Sequence, residues 1–433
     1  MKHARWIAAI CVLMALAAPA AGASVANAPA LANAPAPERT LRIGVIAPFT
    51  GSHAWVGQML RRGMDLAVDA ANASGGVRGH HVAFIYADST GSARGALEAA
   101  AALLNHYGVS ALAGGHTTPE CRSIAAFALN RGMPYVMTGG DDPALIDPRS
   151  YTPSAMRAGV VRSLLAEDAD AMDSGPLRAQ LSALEDKSAR EADALAARFT
   201  VYRIGRSMEA EARSLASMAE GATATMLYED TPTGALWAGA LGAAVPSLAS
   251  AAFPFDPYGP PSGLTAVTEA TLERETAVMY LAAGPEGSRR VVAAFGPSLP
   301  PRVVGVGEEF TLGVLAALSP RVAHASGAEF LSLDVAAPVD ARPDAREFFN
   351  AFRERYGVRP DRYAYAAYEA AVALLHAAEG AASFRPADVG VAYAADSGAR
   401  LLFEALPLEP VRWREGRVES VLAPALIPPA LIQ

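Results

Sequence analysis

Lysine is almost missing from this chain: in 433 residues it occurs only as Lys2 and Lys187. A phosphate-cradling P-loop needs a Gly-Lys-Ser/Thr run, and neither lysine follows a glycine, so that nucleotide chemistry is excluded. Cysteine is equally scarce. Cys11 and Cys121 alone cannot build a disulfide scaffold or a four-ligand zinc site. Basic side chains number 36 against 44 acidic ones, and the resulting formal charge of −8 speaks against a grip on nucleic acid or anionic lipid. No G-x-S-x-G elbow and no H-E-x-x-H occurs. What is plentiful is alanine, roughly a fifth of the residues, a good helix former that buries little area per side chain. The length suits two or three domains with sizeable cores.

The first residues read as an address. Lys2 and Arg5 precede an apolar run from Trp6 to Ala18, and Ala21-Gly22-Ala23 offers the small residues of a cleavage site. Residues 1–23 are therefore expected to be a secretory signal peptide, since the run is too short for a stable membrane anchor. Cleavage takes the formal charge from −8 to −10 and leaves Cys121 alone, with no internal disulfide in an oxidising compartment. Residues 24–40 read as a disordered linker, with ANAPA at Ala26–Ala30 and again at Ala32–Ala36. No later stretch reaches the roughly 18 uninterrupted apolar residues of a spanning helix.

From Leu41 strands and helices alternate. Strands are expected at 41–47, 82–87, 111–113 and 134–138, with helices from about 57, 93 and 119 between them. A second series has strands at 223–228, 248–253, 277–281, 302–305 and 330–335. Two long helices follow, near 344–356 and 363–379, and then a β-rich tail. Such alternation implies α/β architecture with two doubly wound parallel-sheet lobes. Ligands then sit outside the carboxyl ends of the strands, at the loops Pro48–Val56, Asp88–Gly91, Gly114–Thr118 and Gly139–Asp142.

Several stretches carry a resemblance. They are Leu41–Gly57, Asn72-Ala73-Ser74-Gly75-Gly76-Val77-Arg78-Gly79, Ala87-Asp88-Ser89 and Ala113-Gly114-Gly115-His116-Thr117-Thr118. Pro134–Thr138, Leu227–Thr231, Phe348–Gly357 and Ala367–Val372 extend it over most of the chain after residue 40. In this order and spacing they resemble a type I periplasmic binding protein of the branched-chain amino-acid and amide branch. That resemblance implies two lobes joined by a three-crossover hinge, closing on a small-molecule ligand and delivering it to an inner-membrane ABC permease. It implies a periplasmic monomer with no cofactor and no catalysis. By the same analogy lobe 1 is 41–147 with 338–401, and lobe 2 is 199–337 with 402–433. Residues 148–198 exceed the pattern and read as two amphipathic helices: a surface hairpin, a partner-docking element, or a cap over the cleft.

Candidate ligand contacts follow. Thr117 and Thr118 precede a helix, where the resemblance places a ligand carboxylate, although a threonine there also serves as a plain N-cap. Glu308 and Glu309 are the acids expected near a ligand amine. Trp55 and Tyr228 sit on strand-end loops as stacking candidates. Asp141 faces the same cleft. With Asp88, Asp142, Glu229 and Asp230 it forms an acid concentration that would attract an amine. A His116/Cys121 nucleophile lacks an orienting third residue, and His53 is a minor cleft candidate. His80 and His81 point to opposite faces of a strand and cannot chelate one metal. The alternatives to transport are a ligand sensor acting on a membrane receptor and a binder of a larger apolar ligand.

Overall fold

The computed structural model describes residues 40–167, 175–196, 198–219, 221–254, 262–307, 327–335, 343–386, 388–389, 408–414 and 417–420. The expected signal peptide and nearly all of the expected linker lie outside these residues, as do Glu308 and Glu309.

Lobe 1 is built from β1 (Thr40–Ala47), α1 (Ala54–Ala73), β2 (His81–Asp88), α2 (Ala93–Tyr107), β3 (Ala111–Gly114), α3 (Thr118–Asn130) and β4 (Tyr135–Met137). Helices α4 (Pro153–Glu167) and α5 (Gly175–Ala196) then lead to β5 (Val201–Arg203). The five strands are parallel in the order β2-β1-β3-β4-β5. Their β-branched and small apolar residues are buried on both faces, as a parallel sheet covered by helices demands. Parallel neighbours cannot be joined by a hairpin. The α4–α5 pair therefore doubles as the crossover from β4 to β5. It is pinned by a Thr152–Ser188 hydroxyl bond of 2.8 Å and by Glu191 accepting from the Ser154 amide and hydroxyl.

Lobe 2 follows with α6 (Met208–Ala216), β6 (Ala224–Glu229), α7 (Pro232–Ala244), β7 (Ala249–Phe253), α8 (Ser262–Glu273), β8 (Val278–Ala282), α9 (Pro285–Phe295), β9 (Arg302–Gly305) and β10 (Glu329–Val335). The chain returns to lobe 1 as α10 (Pro343–Tyr356) and α11 (Arg362–Gly380), then closes with β11 (Leu408–Arg414) and β12 (Arg417–Ser420). This second sheet has seven strands, β12-β11-β10-β9-β8-β6-β7. It is parallel from β7 to β10 and antiparallel where β11 joins β10 and β12 joins β11. Two α/β lobes, with the helical pair α4–α5 inserted between β4 and β5, are thus the architecture of the described residues.

Strand order reverses once in each lobe: between β1 and β3, and between β6 and β8. At such a switch point neighbouring loops leave in opposite directions and open a crevice at the carboxyl ends. These two places, and the hinge between lobes, position everything below.

Candidate interlobe binding site

At the switch point of lobe 1 the loops after β1 and β3 meet the start of α11. Gly114 ends β3 at φ +103°, and a Cβ there would lie 2.1 Å from the Ile46 carbonyl oxygen. Only glycine lets β3 close so tightly on β1 and still turn into the loop. The next loop residue but one, His116, is 2% exposed. Its ring stands edge-on to His53 from the β1 loop, with centroids 4.9 Å apart, and to Tyr363 from α11 at 5.4 Å. Trp55 meets the same Tyr363 ring at 5.4 Å and 83°. Offset and edge-on arrangements of this kind are the favoured geometry for aromatic pairs.

The histidines carry the unusual feature. Neither ring nitrogen of His116 has a hydrogen-bond partner, and neither does Nε2 of His53, although all three atoms are buried. Nδ1 of His53 lies 3.3 Å from the Ser52 hydroxyl. Burial holds both imidazoles below their ordinary range, and His116, further opposed by the His53 and Arg362 charges, is pushed down to about 3. Both rings are therefore neutral at neutral pH. A buried polar atom without a partner costs about 1–3 kcal/mol, so this is where a hydrogen-bonding guest gains most.

The start of α3 is organised differently from the sequence expectation. Thr117, not Thr118, is the N-cap, and it forms a capping box with Glu120. The Glu120 Oε2 accepts from the Thr117 amide at 2.8 Å and the Thr117 hydroxyl at 2.9 Å. The Ser89 hydroxyl donates to Oε1. Glu120 and Ser89 are both fully buried. A carboxylate does sit at this helix start, and it is the protein's own. Thr118 is half-buried at the first helical position.

The expected concentration of open acids is also corrected. Asp88 accepts from the amides of Phe49 (2.8 Å) and Thr90 (2.8 Å) and from the Thr50 hydroxyl (2.6 Å), so it shapes the β1 loop. Asp142 caps the short turn after β4 through the Ala144 amide and pairs with Arg122. Glu229 is buried at the switch point of lobe 2, where it accepts from the Gly284 amide at the start of α9, and burial raises its pKa. Asp230 is exposed. Asp141 lies between the lobes, where its carboxylate accepts the indole N–H of Trp237 on α7 at 2.8 Å. Loop acids at strand ends are as well suited to holding backbone amides as to meeting a ligand, and here the first use prevails.

Tyr228 is half-buried and packs its ring against the start of α7 at Gly234. Cys121 is buried, and its thiol donates to the Gly139 carbonyl at 3.3 Å, so it does not assemble with His116. Sequence reasoning brought Trp55 to the site and undervalued His53 and His116. It missed Tyr363, Glu120 and Trp237. Trp237 was legible as the one aromatic residue in an otherwise small apolar helix.

Beneath the aromatic cluster the hinge is bolted by charge. The Arg362 guanidinium at the start of α11 grips Glu211 of α6 at 2.7 and 3.4 Å, and its amide donates to Asp334 of β10 at 2.8 Å. Asp361 caps α11 through the Ala364 amide, and burial together with the Asp334 charge pushes it up to about 7. A separate concavity of about 740 Å³, lined by Arg213, Ser217, Thr223, Ser247 and Arg274 among others, lies at the amino ends of the lobe-2 strands, away from the switch points.

Comparison with known proteins agrees with this architecture. Residues 40–172 match the periplasmic binding protein family model. Leu/Ile/Val-binding protein homolog 3 of Brucella melitensis is 38% identical over 77 residues, covering 18% of this chain and 21% of its own length. Homolog 8 of Brucella abortus is 35% identical over 101 residues, covering 23% and 24%. The matched stretches thus span about a fifth to a quarter of these curated relatives. Over nearly the whole chain the fold is shared with solved structures. The branched-chain amino-acid transporter substrate-binding protein LivJ of Streptococcus pneumoniae, in complex with isoleucine, has a TM-score of 0.65, 16% identity and coverage of 88% of this chain and 98% of its own. The leucine-binding protein LivK of Thermotoga maritima gives 0.63 at 17% identity, covering 90% and 99%. A solute-binding protein of an R. palustris ABC transporter, in complex with benzoate, gives 0.60 at 16% identity, covering 90% and 98%. The chain has the fold of the type I periplasmic binding proteins and is similar to the substrate-binding proteins of branched-chain amino-acid ABC transporters. Among the described residues no helix is long and apolar enough to cross a membrane.

Proposed function

We propose that this protein is the periplasmic substrate-binding component of an ABC importer, exported by its signal peptide. In this reading it captures a small polar solute between its lobes and hands it to an inner-membrane permease. The observation that carries the reading is the place of the orphaned histidine nitrogens: they lie at the lobe-1 switch point, where this fold opens its crevice, rather than scattered through the core. Closure would exclude water and strengthen each polar contact to the solute. Structural relatives bind isoleucine, leucine and benzoate, so the fold is compatible with either amino acids or aromatic acids. Asp88, Asp141 and Asp142 are each held by the protein's own donors, so these three do not single out an amine.

The test pairs binding with uptake. A solute that changes the fluorescence of Trp55 and Trp237 on the purified protein should no longer accumulate in cells lacking the gene. Uptake at the normal rate in those cells, despite binding, would overturn the importer role and favour a sensor.

A further inference from the structure

We propose that Glu120 is a built-in anion filling the place a ligand carboxylate would take at the start of α3, and that the ligand is an uncharged planar ring whose hydrogen-bonding edge meets His53 and His116. This rests on the cleft being the ligand site and narrows what enters it.

The donors are the first argument. A free carboxylate docking on Thr117 and Ser89 would compete for the Thr117 amide and hydroxyl and the Ser89 hydroxyl. Glu120 already holds all three. Two carboxylates side by side in a buried site repel strongly, because little solvent screens them. The capping box makes the occupation permanent: Glu120 belongs to the same helical turn as the groups it binds, so it competes at no entropic cost of association.

The acceptors and donors left over are the second argument. His116 is almost wholly buried with both nitrogens unpartnered, and His53 turns an unpartnered Nε2 inward beside it. A neutral imidazole presents one N–H and one lone pair. The pair therefore offers both donor and acceptor atoms and no charge, which matches an amide, a phenol or a ring nitrogen. The aromatic surroundings are the third argument. Tyr363 stands edge-on to His116, and Trp55 stands edge-on to Tyr363, so aromatic surface adjoins the histidines. An ammonium group, by contrast, finds Asp88, Asp141 and Asp142 each held by the protein's own donors.

The experiment uses the mature protein, unfolded and refolded to strip any solute, with calorimetric titration of three probes. Benzamide and benzoate share a ring and differ in charge; leucine is the zwitterion. Benzamide should bind at least tenfold tighter than benzoate, and leucine should give no measurable binding. In Glu120→Gln the benzamide-to-benzoate ratio should fall at least tenfold, because the buried negative charge that repels benzoate is removed. That ratio is taken within one variant, so partial loss of folded protein cancels. His116→Phe, checked for folding by circular dichroism, should lose benzamide binding. Tighter binding of benzoate or leucine to the wild type, or an unchanged ratio in Glu120→Gln, overturns the inference while leaving the importer reading intact. Failure of all three probes to bind also overturns the inference, while the importer reading stands or falls on the uptake test.

Discussion

Replacing Arg362 by Met should be among the most damaging single changes in the protein. The Arg362 and Glu211 side chains are each only 5% exposed and meet at 2.7 Å. Two further acids crowd the same end of α11, buried Asp334 on the Arg362 amide and half-buried Asp361 as the cap. Methionine keeps much of the volume but leaves Glu211 buried without its cation. Breaking one side of such a pair costs about 3–5 kcal/mol, because desolvation of the remaining charge is no longer offset. Against a typical domain stability of about 5–15 kcal/mol that is a large share. Glu211→Gln together with Arg362→Met removes both charges and should recover most of the loss. Urea denaturation of the wild type, both single variants and the double variant completes a thermodynamic cycle. If Arg362→Met costs less than about 1 kcal/mol, as an exposed pair would, the hinge account is wrong. The same follows if the double variant is as unstable as the two singles summed.

Four smaller tests follow from the same geometry. Gly63 of α1 faces α11 so closely that a Cβ would lie 2.0 Å from the Ala364 carbonyl oxygen, so Gly63→Ala should cost about 1–3 kcal/mol in a melt. Thr117→Ala removes the cap of α3 and should cost about 1 kcal/mol by denaturant titration. Trp237→Phe deletes the indole donor to Asp141 and should destabilise by about 2 kcal/mol, with faster amide exchange where α7 meets the β4 loop. Acid titration separates two opposed groups. His116, about 3 when folded, is protonated only in the unfolded chain between there and about 6.5, so its contribution is whole above about 6.5 and is lost as pH falls. Asp361, about 7 when folded, keeps its proton in the folded state from about 4 to 7, so its contribution grows as pH falls. Each acts with a slope of at most about 1.4 kcal/mol per pH unit. Relative to the wild type, His116→Phe should gain stability on acidification from pH 6.5 to 4 and Asp361→Asn should lose it, both measured by urea melts.

The two-lobed fold was legible because parallel α/β sheets write themselves as alternating strand and helix segments, and the strands at 302–305 and 330–335 were found almost to the residue. Local chemistry at the ends was less legible. α1 starts at Ala54 rather than Gly57, since His53 supplies no side-chain cap that a sequence pattern could announce. Thr117 and Thr118 are equivalent as letters, and only the reach of Glu120 selects the first. The acids after strands were less legible too: Asp88 and Glu229 take backbone amides, which every sequence contains everywhere, and Asp141 takes an indole from the other lobe. Tyr363 joins His116 and Trp55 from hundreds of residues away, which no local pattern encodes. Alanine, a good helix former that buries little area, has a packing use here. Ala364, Ala367, Ala370, Ala371 and Ala378 are buried along α11, where small side chains let it pack close to α1.

Small-angle scattering on the stripped protein tests capture by lobe closure most directly. Solutes below 1 kDa extracted from the producing cells' own growth medium would be added in fractions. The account predicts that one fraction lowers the radius of gyration of the wild type and leaves His116→Phe unchanged. An unchanged radius of gyration with every fraction, or equal compaction of wild type and variant, would contradict it.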